Sequence, residues 1–187
     1  MDLFSTSSAK SPQTAAGALP DINCPPLEIR QGASTLAIGP QGDKSAMSLK
    51  YQGEFVREAR ECTVVAGSMV MRIGVQGRIV VGPAGGPGQV DVPLRIAVVQ
   101  ETPGGTRPIV TKFIRIPVVV GANVDNATFT HIENGLSFPL PTPTSLLDDY
   151  IAYVGFDPLS AEAQDKSKRP APKGRPKAPL KPAASIN

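Results

Sequence analysis

The chain has 187 residues, a formal net charge of +3 and a mean hydropathy close to zero, which fits a soluble globular protein of one ordinary domain plus tails. Pro (20) and Gly (18) together make up about a fifth of it; with almost no helix-period pattern, that excludes a helical bundle and predicts an all-β domain with many turns. No apolar run approaches the ~20 residues that a membrane-spanning helix needs. The positive charge is local: Lys166, Lys168, Arg169, Lys173, Arg175, Lys177 and Lys181 stand against Glu162 and Asp165, a balance of +5 that leaves −2 for the rest. The body therefore offers no broad cationic surface for nucleic acid.

Residues 1–23 are rich in Ser, Thr, Ala and Pro without hydrophobic periodicity, and read as a flexible arm. They lack the charged and apolar regions of a signal peptide, yet resemble the tether that follows the acylated cysteine of a bacterial lipoprotein. Cys24 is itself a poor lipidation site, since Asp21, Ile22 and Asn23 do not form a small-residue lipobox. The composition changes at Cys24, which sets the domain at 24–158. Leu27–Arg30 and Thr35–Ile38 are short strands, separated by the turn at 39–43 from the segment Met47–Val65. There Leu49, Tyr51 and Phe55 alternate with Lys50, Gln52 and Glu54; VREARE (56–61) would also suit two helical turns, but Gly53 and the β-branched end favour a strand.

The clearest pattern is MVMRIGVQGRIVV (69–81). Met69, Met71, Ile73, Val75, Ile79 and Val81 alternate with Arg72, Gln76 and Arg78, the period of a strand with one buried and one wet face. After GPAGGPGQ (82–89), Val90, Val92, Leu94, Ile96 and Val98 repeat the pattern, with Pro93 demanding an edge or a bulge. TPGGT (102–106) leads to a third such run through Val110, Ile114, Ile116, Val118 and Val120, where Lys112 is the exception. Three strands joined by Gly/Pro turns predict an antiparallel meander. Asn134-Gly135 between Ala127–Glu133 and Leu136–Leu140 predicts a hairpin, and Tyr150–Phe156 is the last strand. Eight or nine strands predict an antiparallel β-sandwich of Ig-like or fibronectin-like type, with a closed barrel second. From Leu159 to the end, Lys/Arg alternating with Pro and Ala predicts a disordered, extended basic tail, 159–187.

Few residues point to chemistry. Two cysteines, Cys24 and Cys62, and one histidine, His131, are too few for a zinc site without carboxylates. The cysteines read either as a disulfide or as two unrelated buried thiols in a reducing compartment. GPAGGPG lacks the Lys-Ser/Thr of a P-loop and reads as a hairpin loop. His131 has no nucleophile fixed beside it by spacing and reads as a surface or structurally bonded side chain. No catalytic, cofactor or metal residue is assigned. Arg72, Gln76 and Arg78 form the most interesting polar row, either an ordinary wet face or a docking face for protein or anionic glycan. The seven tail cations suit anionic lipid or cell wall, or a solubilising spacer; the tail has no aromatic residue to stack on bases, which weakens a nucleic-acid reading.

The segments CPPLEIRQGAST (24–35), YQGEFVREAREC (51–62), VGPAGGPG (81–88) and YVGFDP (153–158) resemble an uncharacterised family of alphaproteobacterial envelope proteins, often predicted as lipoproteins. The resemblance implies an extracytoplasmic location, periplasmic or at the outer membrane, in which Cys24 and Cys62 would pair. The function expected is that of a non-enzymatic structural or accessory module with protein partners in an envelope assembly. The alternatives are a periplasmic carbohydrate-binding domain or loop-site enzyme, and a cytosolic protein using its basic tail on nucleic acid.

Overall fold

The computed structural model describes residues 22–40 and 45–161. Eight strands follow one another: β1 (Leu27–Ile29), β2 (Thr35–Ile38), β3 (Tyr51–Val65), β4 (Ser68–Val81), β5 (Gly88–Thr102), β6 (Gly105–Val120), β7 (Asn126–Pro139) and β8 (Tyr150–Phe156). They form two four-stranded sheets, sheet I in the order β1-β8-β5-β6 and sheet II in the order β2-β3-β4-β7. The inner faces share one apolar core, since alternation along each strand sends every second side chain inward. In β4 those are Met69, Met71, Ile73, Val75 and Ile79, and in β5 Val90, Val92, Leu94, Ile96 and Val98, all buried. Aromatic rings join the sheets: Phe55 of sheet II stacks on Phe156 of sheet I at 4.3 Å between centroids, and Phe138 meets Tyr150 at 5.6 Å.

VREARE belongs to β3, as the strand reading expects, with a bulge between Phe55 and Arg57. β3 and β4 form a hairpin across Ala66 and Gly67, both at positive φ (48° and 77°); that combination suits a tight two-residue turn. β5 and β6 form a second hairpin, with Thr102 opposite Gly105. Pro93 lies one residue beyond the β8 ladder, which starts at Leu94. Its carbonyl accepts from Asp157 N at 3.0 Å, so its missing N–H faces the same side, where the ladder has run out.

Three expectations are corrected. The strand 69–81 does not open a meander with β5 and β6: it pairs with β3 and β7 in sheet II, while β5 and β6 belong to sheet I. The loop between β4 and β5 is thus a crossover, not a hairpin. Gly82 and Gly85 lie so close to the Leu49–Lys50 backbone that a Cβ would collide, and Gly82 N and Ala84 N donate to Lys50 O (2.8 Å) and Leu49 O (3.0 Å). Those contacts turn the chain out of sheet II. Asn134-Gly135 makes no hairpin either. Both residues lie inside β7, where the pairing slips between Met71–Leu136 and Ile73–Glu133, a bulge. The Glu133 carboxylate accepts from Gly135 N at 2.9 Å, so the side chain supplies the bond that a turn would have made, and β7 continues along β4. Finally, the sheets are not wholly antiparallel, because β1 runs parallel to β8.

Residues on either side of 24–158 also make contacts with the sheets. Ile22 packs against the core, and Asn23 Nδ2 donates to Asp148 Oδ1 at 2.9 Å. At the other end Asp157 caps a helical turn over residues 158–161, accepting from Ser160 N at 3.0 Å. The predicted tail cations Lys166 to Lys181 lie outside the described residues.

Candidate functional site

Register explains the outer face of sheet II. β3, β4 and β7 lie side by side, so their outward residues form rows across the sheet: Glu54–Arg78–Thr128, Arg57–Gln76–Thr130, Ala59–Gly74–Ile132, and then Glu61–Arg72. The predicted polar row of β4 is therefore one column of a three-strand surface. Arg78 Nε donates to Glu54 Oε1 at 2.9 Å, and Arg72 is paired with Glu61 at 3.7 Å, each directly across the ladder. Gln76 lies between them, half-buried. Opposite charges facing each other across a strand pair stabilise the ladder by roughly 0.2–1 kcal/mol each.

Between these charged rows the surface falls away. Ala59 is small, Gly74 has no side chain and Ile132 is apolar, and a Cβ on Gly74 would meet nothing within 4 Å. Two adjoining hollows of about 300 and 270 Å³ share these three residues, which makes one shallow trough running across the strands. Its floor is apolar and includes the exposed Ile132; Arg57, Gln76 and Thr130 rim one side, Glu61 and Arg72 the other.

Sheet I presents a different outer face. Arg30 lies over the Tyr153 ring at 5.7 Å, and Arg95 and Arg115 lie over Phe113 at 5.5 and 5.9 Å. Arg95 is further tied to Asp157, to Thr111 Oγ1 (3.1 Å) and to Ser160 Oγ (2.8 Å), and Arg115 Nη2 donates to Ala161 O at 2.6 Å. These arginines hold residues 157–161 against the sheet. Burial works against the Asp157 charge, but the Arg95 guanidinium and the Ser160 N–H and hydroxyl together hold its carboxyl below the usual 3.8. Burial, with Glu101 and Glu28 nearby, pushes the Tyr153 hydroxyl above its ordinary 10.0, so it stays a neutral phenol. A cleft of about 280 Å³ lies between Arg30, Tyr153 and Arg95 over a floor that includes Ala97 and Gly155.

The exception on β6 proves to be a seam between the sheets. Lys112 Nζ donates to Glu133 of β7 at 2.8 Å, across the gap between sheet I and sheet II. Glu133 is only 5% exposed. Burial opposes its charge, but the bonds from Lys112 and Gly135 N, with the Lys112 charge and His131 nearby, hold its carboxyl below the ordinary 4.5. His131 faces inward from β7 beside this pair, its Nε2 3.8 Å from Glu133 Oε2 and without a hydrogen bond among the described residues. Its side chain is 24% exposed, at the edge between core and surface.

Cys24 and Cys62 are bonded, with their Cα atoms 5.7 Å apart. Cys62 lies on the inner side of β3, opposite Met71, while Cys24 leads into β1, so the bond ties sheet II to sheet I. In the chain-entropy view a loop of 38 residues closed this way stabilises the fold by roughly 4 kcal/mol. Among the described residues no group of three or more His, Cys, Asp or Glu is placed to hold a metal ion, and no helix is long and apolar enough to cross a membrane.

These features define a two-sheet, all-β domain with an inter-sheet disulfide and a hollow on each outer face. Compared with protein-family profiles, curated proteins and solved structures, the chain matches none.

Proposed function

We propose that this protein is a non-catalytic interaction module of a bacterial cell-envelope assembly, working outside the cytoplasm and docking protein partners through the outer face of sheet II. The carrying observation is the Cys24–Cys62 bond joining the two sheets, because disulfides of this structural kind persist in oxidising compartments. A rigid body stapled in this way suits a docking role, and the trough offers an apolar floor for a partner side chain, with Arg57, Gln76 and Arg72 at hand for carboxylate or amide groups. An Ig-like or fibronectin-like assignment is supported by the eight strands, the two facing sheets and the single core between them. On this reading Lys166, Lys168, Arg169, Lys173, Arg175, Lys177 and Lys181 add electrostatic contact with anionic lipid or cell wall.

Two measurements test the reading. Protein recovered from its native cells should carry the bond, seen as a mass 2 Da lower than the reduced form (about one hydrogen per thiol); a fully reduced native protein would remove the compartment argument. For the docking face, Gly74→Leu should fill the trough without loss of folding, since the added atoms point into open space. Captured partners should be lost with Gly74→Leu and with the triple replacement of Arg72, Gln76 and Arg78 by Ser. Undiminished capture by both variants would sink the docking face.

A further inference from the structure

β2 pairs only with Tyr51–Glu54, and among the described residues no strand is paired with the far side of β3 from Val56 onward; Cys24 comes up to this edge at Cys62, their Cα atoms 5.7 Å apart. A free strand edge is a template for another chain unless its side chains forbid it. Here the stretch Arg57, Glu58, Ala59, Arg60, Glu61 is symmetric about Ala59, with opposite charges at mirror positions. Arg57 and Glu61 project from the outer side, beside Gln76 and Arg72; Glu58 and Arg60 project from the core side, beside Val75 and Ile73, at its uncovered margin. Arg72, Arg78, Arg95 and Lys112 each have a carboxylate partner within the chain. Arg57, Glu58 and Arg60 are exposed and have no ion pair among the described residues.

We infer that β3 pairs with β3 of a second copy of this chain, antiparallel, about a two-fold axis at Ala59. Such an axis is normal to the sheet and places residues of the same face opposite one another, so it must pass beside a single residue. Centred on Ala59, it sets Arg57 against Glu61 of the second copy and Glu58 against Arg60, each pair on its own face and each occurring twice. Centred on Arg57, Glu58, Arg60 or Glu61, it would set that charge against its own copy. Parallel in-register pairing would stack every charge on its like. The charges thus act as a register code: they oppose indiscriminate edge pairing and reward the arrangement centred on Ala59 with opposite-charge pairs on both faces.

The ladder is confined to the five residues Arg57–Glu61, because Thr35 of β2 occupies the edge at Glu54 and Cys24 stands beside Cys62 with 5.7 Å between their Cα atoms; the bulge between Phe55 and Arg57 is where the two strands diverge. The product is a continuous sheet built from two copies of sheet II. Its two troughs meet at Ala59 and run on from Ile132 of one copy to Ile132 of the other. The pairing stands whatever fills the trough.

Sedimentation velocity on the oxidised full chain, over a concentration series, tests this directly. A monomer–dimer equilibrium is expected. Glu58→Arg alone and Arg60→Glu alone should each weaken it by about tenfold or more, since each creates two like-charge contacts. The double variant Glu58→Arg/Arg60→Glu restores opposite charges and should return the dissociation constant to within about threefold of the parent. Ala59→Cys should form a covalent dimer on mild oxidation, as paired Cα atoms at about 4.5–5.5 Å suit a disulfide. The proposal falls if the protein stays monomeric up to sub-millimolar concentration, if a dimer forms but ignores the single reversals, or if the double variant stays as weak as either single one. Matching thermal melts across the set confirm that folding is not what changes.

Discussion

The two outer faces of this domain arise from the same strand alternation, yet they use their arginines in opposite ways. On sheet I, Arg95 spends its guanidinium on three side chains at once, lies over Phe113, and with Arg115 fastens residues 157–161 to the strands. On sheet II, Arg72 and Arg78 each meet one carboxylate across the ladder and leave an open trough between them. Their surroundings differ too: the Asp157 side chain is 19% exposed, whereas Glu54 and Glu61 are 39% and 66% exposed. A surface whose charges are desolvated and multiply bonded is closed for structural use. One whose charges are singly paired in water keeps them available to a partner.

The largest expected effect lies on sheet I. Arg95→Ala should cost about 2–3 kcal/mol, because it removes several charge-assisted bonds and leaves Asp157 without its counter-ion. The same change should expose the chain after Asp157 to proteolysis. Urea denaturation and limited digestion would show both, and a loss no greater than that of Arg78→Ala would break the comparison. An intermediate effect belongs to the seam. Glu133 and Asp157 are held below their ordinary values, so the unfolded chain takes up protons first as pH falls. Their contribution is complete at neutral pH and is lost as the pH drops below 4.5 for Glu133 and below 3.8 for Asp157. Glu133→Gln should cost about 1–2 kcal/mol at neutral pH, and its stability should fall less steeply on acidification than that of the parent. Equal slopes in acid titrations of unfolding would remove Glu133 from the seam's account. The smallest effect is reserved for sheet II: Arg72→Ala and Arg78→Ala should each change stability by about 0–1 kcal/mol, less at high salt. A clearly larger loss would mean that this face too is structural.

Much of the fold was legible because alternation is a local property. The buried set Met69, Met71, Ile73, Val75 and Ile79 can be read directly from 69–81, and β2 falls on the predicted 35–38. Sheet membership was not legible. β4 and β5 carry the same period, and only the contacts of Gly82 and Gly85 with Leu49–Lys50 decide that they part. The Asn-Gly signal misled for a related reason: a neighbouring carboxylate, Glu133, took the Gly135 N–H and kept the strand running. Of the candidate face, the column Arg72, Gln76 and Arg78 was visible, but its partners Glu61 and Glu54 follow from the register set by the Val56 bulge. The trough was hidden altogether, since Ala59, Gly74 and Ile132 come from three strands and carry no motif. Lys112 was the one sequence signal of the seam, a charge on an apolar face awaiting a partner that lay in the other sheet.

The parallel pairing of β1 with β8 has a consequence in time as well as in space. Leu27 meets Ala152 and Ile29 meets Val154, so the first strand made has no ladder partner until the last one emerges. β8 also supplies Phe156 to the ring stack with Phe55. A growing chain therefore stays incomplete until nearly all of the domain has been synthesised, and a fragment stopped before Tyr150 lacks the strand that joins β1 to β5. Loop closure across so many residues is slow compared with local pairing. That delay leaves β1 without its ladder partner for most of the time the domain takes to be made.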